Sequence, residues 1–192
     1  MVNLKENVIL HIEDEALWRK DICDLVTEDR RVINAYGNAC GYEFLRHDSQ
    51  VTRILSPAAL QKELDWLNPK NDSQPVFISV ASGQVARSIL AQYLPSAIIS
   101  DSGFPLNGAK TVKWLIAHGL GNYPLIGLSG TPVESLGQEV EHFFTTNNAR
   151  YFSKTNFDPD ALITQLLFNR EWNIGQKDHY SKLEVRLDSE VE

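Results

Sequence analysis

The chain has 192 residues, of which 43% are hydrophobic, and a formal net charge of −7. This length suits one domain with room for an insertion, and the acidic balance argues against nucleic-acid binding, which needs an excess of lysine and arginine to neutralise phosphates. No apolar run approaches the roughly 20 residues that span a membrane. Residues 1–7 run into a strand instead of the apolar segment of a signal peptide, so we expect a cytoplasmic protein.

The first third of the chain predicts a strand and two helices, with a poorly patterned stretch between the helices. Apolar residues run without interruption in the strand and recur at helical spacing in the helices. In chain order we predict a strand at 8–12, a helix at 15–29, candidate short strands at 32–36 and 51–55, and a helix at 57–67 that begins at Ser56-Pro57.

From residue 75 onward, strands and helices alternate regularly. The predicted elements are a strand at 76–80, a helix at 84–94, a strand at 97–100, a helix at 108–118, a strand at 123–128, a helix at 133–147, a strand at 150–153 and a helix that opens at Asp158-Pro159. This alternation is typical of a parallel sheet covered by helices on both faces. The sequence therefore predicts an α/β domain over residues 1–170, a doubly wound five-stranded parallel sheet with an insertion at 31–74, followed by a polar tail at 171–192.

Polar side chains stand at or just after the ends of four predicted strands. They are Glu13 and Asp14, Asp101, Ser129 and Lys154. In a doubly wound sheet every strand ends at the same edge, so we expect these side chains to converge. Neighbouring carboxylates repel one another, and Mg²⁺, which prefers oxygen ligands, relieves that repulsion. Asp101 is then placed to act as a carboxylate nucleophile, with Lys154 and Ser129 on the phosphoryl oxygens.

Each of these residues also has an ordinary structural explanation when it is taken alone. Glu13 and Asp14 suit the start of a helix, Asp101 suits a turn, and Ser129 suits a helix N-cap. A lone Lys154 suits the solvated surface. Their joint occurrence at successive strand ends favours a functional site over four separate coincidences.

The remaining chemistry-bearing residues form no comparable pattern. Cys23 and Cys40 lack the spacing of metal ligands, and without a secretion signal we expect them to be reduced thiols. The histidines show no ligand spacing, so we interpret them as structural or surface residues. They are His11, which we expect to be partly buried, and His47, His118, His142 and His179. The four tryptophans are interpreted as packing residues.

Five segments occur in an order that one family of signalling proteins shares. They are Ile9-Leu10-His11-Ile12-Glu13-Asp14-Glu15, Ile98-Ile99-Ser100-Asp101 with Phe104-Pro105 and Gly108 after it, Pro124-Leu125-Ile126-Gly127-Leu128-Ser129-Gly130, Tyr151-Phe152-Ser153-Lys154, and Asp158-Pro159-Asp160-Ala161-Leu162. In this respect the chain resembles the receiver domain of two-component response regulators. The resemblance covers roughly residues 6–30 and 75–170, and it implies the flavodoxin-like strand order 2-1-3-4-5.

The resemblance also implies a role for each site residue. Asp101 would receive a phosphoryl group, and Lys154 would bind the phosphate. The implied Mg²⁺ ligands are Glu13, Asp14, Asp101 and the carbonyl of Gly103. The implied switch pair is Ser129 and Tyr151.

The same resemblance implies partners instead of substrates. The phosphoryl donor would be a histidine kinase or a histidine phosphotransfer protein, and the output would be docking to a downstream protein target. A stand-alone receiver of this kind is not an enzyme, apart from slow self-catalysed phosphorylation and dephosphorylation. A homodimer is also open.

Three features depart from the family pattern. Thr155 follows Lys154 where the family usually has proline, the interval from Pro105 to Gly108 is one residue shorter, and residues 31–74 have no counterpart.

Two alternative functions therefore stay open. One is a phosphohydrolase of the haloacid-dehalogenase type, although such enzymes need a second acid where this chain has Gly103. The other is a pseudo-receiver that binds a partner without phosphorylation. The insertion is expected to be either a covering subdomain or a dimer arm.

Overall fold

A parallel β-sheet forms the centre of the protein. The structure, a computed structural model, describes residues 3–36, 41–43, 77–81, 83–91, 93–102, 108–146 and 150–176. The strands in these ranges are β1 (Asn3–Ile12), β2 (Gly41–Glu43), β3 (Phe77–Val80), β4 (Tyr93–Ser100), β5 (Leu125–Ser129) and β6 (Arg150–Ser153). They lie in the order β2-β3-β1-β4-β5-β6, and every neighbouring pair is parallel. The five predicted strands therefore have the predicted order 2-1-3-4-5, and the doubly wound α/β fold is confirmed.

Helices follow most of the strands and cover the sheet. The described helices are α1 (Ala16–Glu28), α2 (Arg30–Tyr36), α3 (Gly83–Leu90), α4 (Gly108–Ala117), α5 (Gln138–Thr146) and α6 (Pro159–Gly175), with short 3₁₀ turns at Val133–Ser135 and Lys154–Asn156. Among the residues that the structure describes, we find no helix with both the length and the apolar character needed to cross a membrane.

The sheet has an apolar core on each face. Neighbouring residues of a strand point to opposite faces, so Leu10 and Ile98 pack under α3, α4 and α5, while Ile9 and Ile99 pack under α1, α2 and α6. Strands buried on both faces are continuous apolar runs. This explains why β1, β4 and β5 are recognisable in the sequence.

Residues 32–36 form a helix, and the prediction of a short strand there is wrong. Asp29 begins this helix, because its carboxylate accepts hydrogen bonds from the backbone amides of Arg31 at 2.8 Å and Val32 at 3.4 Å. Val32 and Tyr36, one helical turn apart, are both buried, and the Tyr36 hydroxyl donates to the carbonyl of Leu166 on α6. Packing against α6 thus outweighs the local strand preference of the β-branched and aromatic residues.

The segment treated as an insertion contributes a strand to the sheet. β2 pairs with β3 in register, with Gly41 opposite Phe77 and Glu43 opposite Ser79, and it extends the sheet at the β3 edge. No sequence pattern predicts this strand, because three residues are too few to show a period. The predictions for 51–55 and 57–67, and those for residues beyond 176, lie outside the described residues.

The helix predicted at 133–147 is divided. A 3₁₀ turn at Val133–Ser135 comes first, and α5 begins only at Gln138. Gly137 between them has φ +92°, a left-handed conformation that favours glycine and interrupts the helix. The helix predicted at 84–94 also ends early, at Leu90, and β4 begins at Tyr93 instead of at 97.

Candidate functional site

Four strand ends meet at the carboxyl edge of the sheet. Glu13 and Asp101 lie one residue beyond β1 and β4, and the sheet ladder continues to both of them. The amide of Glu13 donates to the carbonyl of Val80 at 2.9 Å, and that of Asp101 donates to the carbonyl of Ile12 at 2.8 Å. The backbone therefore holds both acids in register with the sheet.

Lys154 lies at the centre of the charged groups. Its Nζ is 2.7 Å from Asp101 Oδ2, 2.8 Å from Glu13 Oε2 and 3.1 Å from Glu15 Oε1. The lysine side chain is 7% exposed, and Asp101 is 3% exposed. The structure thus brings together a lysine from the end of β6 and carboxylates from the ends of β1 and β4, and it adds Glu15, which the sequence analysis did not count as a site residue.

The acidic groups form a cluster that could hold a metal ion. One carboxylate oxygen from each member lies within 4.8 Å of those of the others, and the members are Glu13, Asp14, Glu15 and Asp101. Asp14 and Glu15 are exposed, whereas Glu13 and Asp101 are buried. A set of carboxylate oxygens suits a hard divalent cation. The carbonyl of Gly103, a further expected ligand, lies outside the described residues.

Burial and charge shift the titration of two groups in this cluster. Burial raises the pKa of Glu13 to about 7, although the contact with Lys154 acts in the opposite direction. Burial also disfavours the charged form of Lys154, but its hydrogen bonds to Asp101 and Glu13 outweigh this effect and raise its pKa above the ordinary value. The Lys154 ammonium therefore stays charged. The pocket contains more carboxyl groups than this one ammonium can neutralise.

A second group of residues lies beside the acids at the ends of β5 and β6. The backbone amide of Thr131 donates to Ser129 Oγ at 3.3 Å, and the Tyr151 hydroxyl donates to the carbonyl of Thr131. Ser129 is buried and Tyr151 half-buried, and burial raises the pKa of the tyrosine. Both members of the expected switch pair are therefore bonded to one loop residue, Thr131, which the sequence analysis did not single out.

Gly127 makes room for the Tyr151 ring. A Cβ atom at residue 127 would lie 2.5 Å from Tyr151 Cδ2 and 2.9 Å from Phe144 Cζ, both far inside van der Waals contact. The Tyr151 ring packs edge-on against Phe144 with centroids 5.3 Å apart. A glycine inside a strand often marks such a close approach, so the position could have been noticed in the sequence.

Comparisons with known proteins do not identify the chain. No protein-family model, no curated protein and no solved structure matches it. What the protein does must therefore be inferred from the arrangement of its own residues.

Two residues of α1 contact the site without having been predicted. Lys154 Nζ lies 5.4 Å from the centre of the Trp18 ring, within the range of a cation–π interaction, and Trp18 packs edge-on against Phe157. Arg19 Nη1 donates to the carbonyl of Glu13 at 2.8 Å and to the carbonyl of Asp14. No spacing rule relates these side chains to the acids, because their reach depends on how α1 packs.

His11 lies behind the acidic cluster on β1. It is fully buried, more than the sequence analysis expected, and its Nδ1 is 3.2 Å from Ser79 Oγ. Burial, together with the nearby charges of Lys154 and Arg19, lowers its pKa to about 3. The ring is therefore neutral at physiological pH.

Thr155 takes part in a capped turn, at the position where receiver domains, which the sequence resembles, usually have proline. Ser153 Oγ accepts a hydrogen bond from the amide of Thr155 at 3.2 Å and lies 2.7 Å from the threonine hydroxyl. A proline could not donate the first of these bonds. The serine cap holds the 3₁₀ turn that begins with Lys154, so the backbone of the lysine is positioned without proline.

Proposed function

We propose that the protein is a phospho-accepting receiver module and that Asp101 is its phosphoacceptor. The observation that carries this proposal is the contact of 2.7 Å between Asp101 Oδ2 and Lys154 Nζ, in a pocket where the acids after β1 lie within 4.8 Å of the same carboxylate. A carboxylate can act as the nucleophile of a phosphoryl transfer, and an acidic pair that holds a cation and a lysine can balance the charge of the transferred group.

The cation that fits this pocket is Mg²⁺. The available donors are all oxygens, and among the described residues of this pocket the four acids outnumber the one ammonium, that of Lys154. Glu13, Asp14 and Asp101 would hold the ion, which would supply positive charge to balance the oxygens of the phosphoryl group.

The transfer step uses the chain's own residues as follows. A carboxylate oxygen of Asp101 attacks the phosphorus of a phosphohistidine, and a P–O bond forms as the P–N bond breaks. The bonding electrons stay on the imidazole nitrogen, which is left with a lone pair or takes a proton from solvent. In the structure Lys154 contacts Asp101 and Glu13. During transfer its ammonium would shift toward the incoming phosphoryl oxygens. The donor is accordingly a histidine kinase or a histidine phosphotransfer protein.

Ser129 and Tyr151 would transmit the phosphorylation of Asp101 to the surface of the protein. Ser129 Oγ now accepts from the amide of Thr131. If the hydroxyl turns to donate to a phosphoryl oxygen, we expect its oxygen to shift relative to that amide and the loop at 130–132 to move with it. Tyr151 is bonded to the carbonyl of the same Thr131, so its ring follows. A downstream protein target would detect this change at β6 and the helices beside it, α5 and α6.

Phosphorylation by a small donor tests the proposal. We expect wild type incubated with acetyl phosphate and Mg²⁺ to gain the mass of one phosphoryl group, and Asp101→Asn to gain none. Asp24→Asn, which alters an exposed aspartate on α1, is the matched control and should gain the same mass as wild type. An unchanged mass of the wild type, or equal labelling of Asp101→Asn, contradicts the proposal.

The same samples distinguish the two alternatives. Sustained turnover of p-nitrophenyl phosphate that Asp101→Asn abolishes would indicate a phosphohydrolase. Binding of Mg²⁺ without any mass gain would indicate a pseudo-receiver. A receiver should bind Mg²⁺, gain one phosphoryl group and show almost no turnover.

A further inference from the structure

Arg19 connects α1 to the loop that carries the acidic pair. The residue is 5% exposed, and its Nη1 donates to the carbonyls of both Glu13 and Asp14. Hydrogen bonds from a charged guanidinium are stronger than those between neutral groups. The arginine therefore holds two consecutive carbonyls at a single nitrogen.

Such a contact restricts the conformation of the loop. When two successive carbonyls must both point to one nitrogen, the peptide planes on either side of Asp14 have little freedom left. The side chains of Glu13 and Asp14 leave the same short backbone segment, so their directions are restricted as well. A further bond, from the Glu15 amide to Glu13 Oε1 at 3.0 Å, closes the loop around the acids.

We propose that Arg19 is a positioning residue for the cation site. By holding the carbonyls of residues 13 and 14, it keeps the carboxylates of these residues within reach of Asp101, so that a divalent cation finds its ligands already in place. The proposal deepens the proposed function and depends on it, because it takes Glu13 and Asp14 to be metal ligands.

Whether replacing Arg19 weakens or strengthens Mg²⁺ binding shows if the residue acts by positioning the ligands or only through its charge. Arg19 is a cation close to a cation site, so its charge alone disfavours Mg²⁺, and its removal would tighten binding. If the arginine acts by holding the loop, its removal weakens binding instead. Residues that orient metal ligands typically contribute about tenfold to a hundredfold to metal affinity. We therefore expect weaker binding of Mg²⁺ although a positive charge has been removed.

The test compares Arg19→Met and Arg19→Lys with wild type and with Lys20→Met. Methionine keeps much of the length and removes the donors, whereas lysine keeps the charge but loses the guanidinium fork. Lys20 is the neighbouring exposed cation on α1, paired with Asp24, and controls for the loss of charge. Mg²⁺ affinity is measured by calorimetry on the full chain, and amide hydrogen exchange is measured without metal.

We expect Arg19→Met to bind Mg²⁺ about tenfold more weakly than wild type and Arg19→Lys to lie between them. Lys20→Met should bind as wild type or more tightly. In the metal-free protein, exchange of the Glu15 amide should accelerate in Arg19→Met, while the Asp101 amide, bonded to Ile12, should keep its rate. General unfolding would change both rates.

Unchanged or tighter Mg²⁺ binding in folded Arg19→Met overturns the assignment of Arg19 and leaves the proposed function standing. If Arg19→Met does not fold, the same result for Arg19→Lys overturns it. Wild type that binds no Mg²⁺ but is labelled by acetyl phosphate also overturns the assignment alone. Wild type that shows neither binding nor labelling overturns the proposed function and the role of Arg19 together.

Discussion

The two sides of the site are held together in different ways. The acid–amine side consists of Glu13, Asp101 and Lys154. The hydroxyl side consists of Ser129, Thr131 and Tyr151. On the acid–amine side, buried charges contact one another directly at 2.7 to 2.8 Å. On the hydroxyl side, two neutral hydrogen bonds lead to one loop residue, and the tyrosine ring occupies the space that Gly127 leaves.

The difference teaches which side can change at low cost. A neutral hydrogen bond contributes about 1 kcal/mol net, because water replaces it when it breaks. Removing one partner of a buried ion pair costs about 3–5 kcal/mol, because a charge stays behind without compensation. The acid–amine side is therefore costly to rearrange, whereas the hydroxyl side can change its contacts at low cost. The expected effects of substitution follow this division.

Lys154→Met should have the largest effect on stability. It leaves the buried carboxylates of Glu13 and Asp101 without their cation, and we expect the free energy of unfolding to fall by about 3 kcal/mol at about pH 8 in EDTA. Urea unfolding measures this loss. The loss should shrink as the pH falls toward 7, because the pKa of Glu13 is about 7 with Lys154 in contact and higher without it, so that Glu13 takes up a proton first in the variant.

The matched control is Lys113→Met. Lys113 pairs with Glu139 at 3.4 Å, and both side chains are about half exposed. An exposed pair of this kind contributes less than about 1 kcal/mol. Equal losses in the two lysine variants would mean that charge does not hold the acid–amine side together.

The pH dependence of stability tests whether His11, which lies behind the acid–amine side, stays neutral in the folded protein. His11 has its pKa lowered to about 3, whereas an unfolded histidine titrates near 6.5. Below pH 6.5 the unfolded chain therefore binds a proton that the folded protein excludes, and stability is lost as the pH falls. Between pH 7 and pH 5 the loss from this residue is about 2 kcal/mol. His11→Leu, measured by urea unfolding in EDTA, should lack it.

Glu13→Gln should show the opposite dependence. The folded-state pKa of Glu13 is raised to about 7 from 4.5. Glu13 therefore stabilises the folded protein at low pH, and this stabilisation is lost as the pH rises from 4.5 through 7. Wild type should gain about 2 kcal/mol from it between pH 7 and pH 5, and the glutamine variant should gain none. The two titrations nearly cancel in wild type. Parallel pH profiles for His11→Leu and Glu13→Gln would contradict both assignments.

Gly127→Ala should disturb the hydroxyl side through packing. The added methyl group would come within 2.5 Å of Tyr151 Cδ2, and overpacking of this kind costs about 1–3 kcal/mol. Gly130→Ala is the control, since its Cβ would meet no atom within 4 Å. In the double variant Gly127→Ala, Tyr151→Leu, the fall in the urea midpoint should be smaller than the sum of the falls in the two single variants. If the two falls simply add, residue 127 and the Tyr151 ring are not in contact.

Tyr151→Phe should have the smallest effect. It removes the hydrogen bond to the Thr131 carbonyl and keeps the ring, so we expect a loss of about 1 kcal/mol or less, because Thr131 is partly exposed to water. Calorimetry should show unchanged Mg²⁺ affinity. If Tyr151→Phe weakened Mg²⁺ binding as much as we expect for Arg19→Met, the hydroxyl side and the acid–amine side would be energetically coupled.

Much of the fold follows from apolar patterns, and the exceptions have local causes. Residues 8–12 of β1, together with β4 and β5, are buried on both faces, so their sequences are nearly continuous apolar runs. α2 was mistaken for a strand because Val32 and Ile33 favour strands locally, yet the cap at Asp29 and the burial of Tyr36 decide for a helix. The signal was present, in an aspartate before an i, i+4 apolar pair.

The candidate site was predictable only to the level of the strand ends. Topology places Glu13, Asp101 and Lys154 at one edge, and their convergence follows from the strand order alone. The reach of Arg19 to the loop carbonyls and the position of the Tyr151 ring depend on side-chain packing between elements distant in sequence. A periodic pattern contains no information about such contacts.

The indole of Trp18, 5.4 Å from the ammonium of Lys154, gives the molecule an optical property of its own. Indole emission responds to a charge at such a distance, so any displacement of that ammonium, by a cation or by a phosphoryl group, should change the intensity or colour of the light that this residue emits. The occupancy of the pocket can then be followed in real time in the unlabelled protein, with Trp18→Phe as the background from the other three tryptophans.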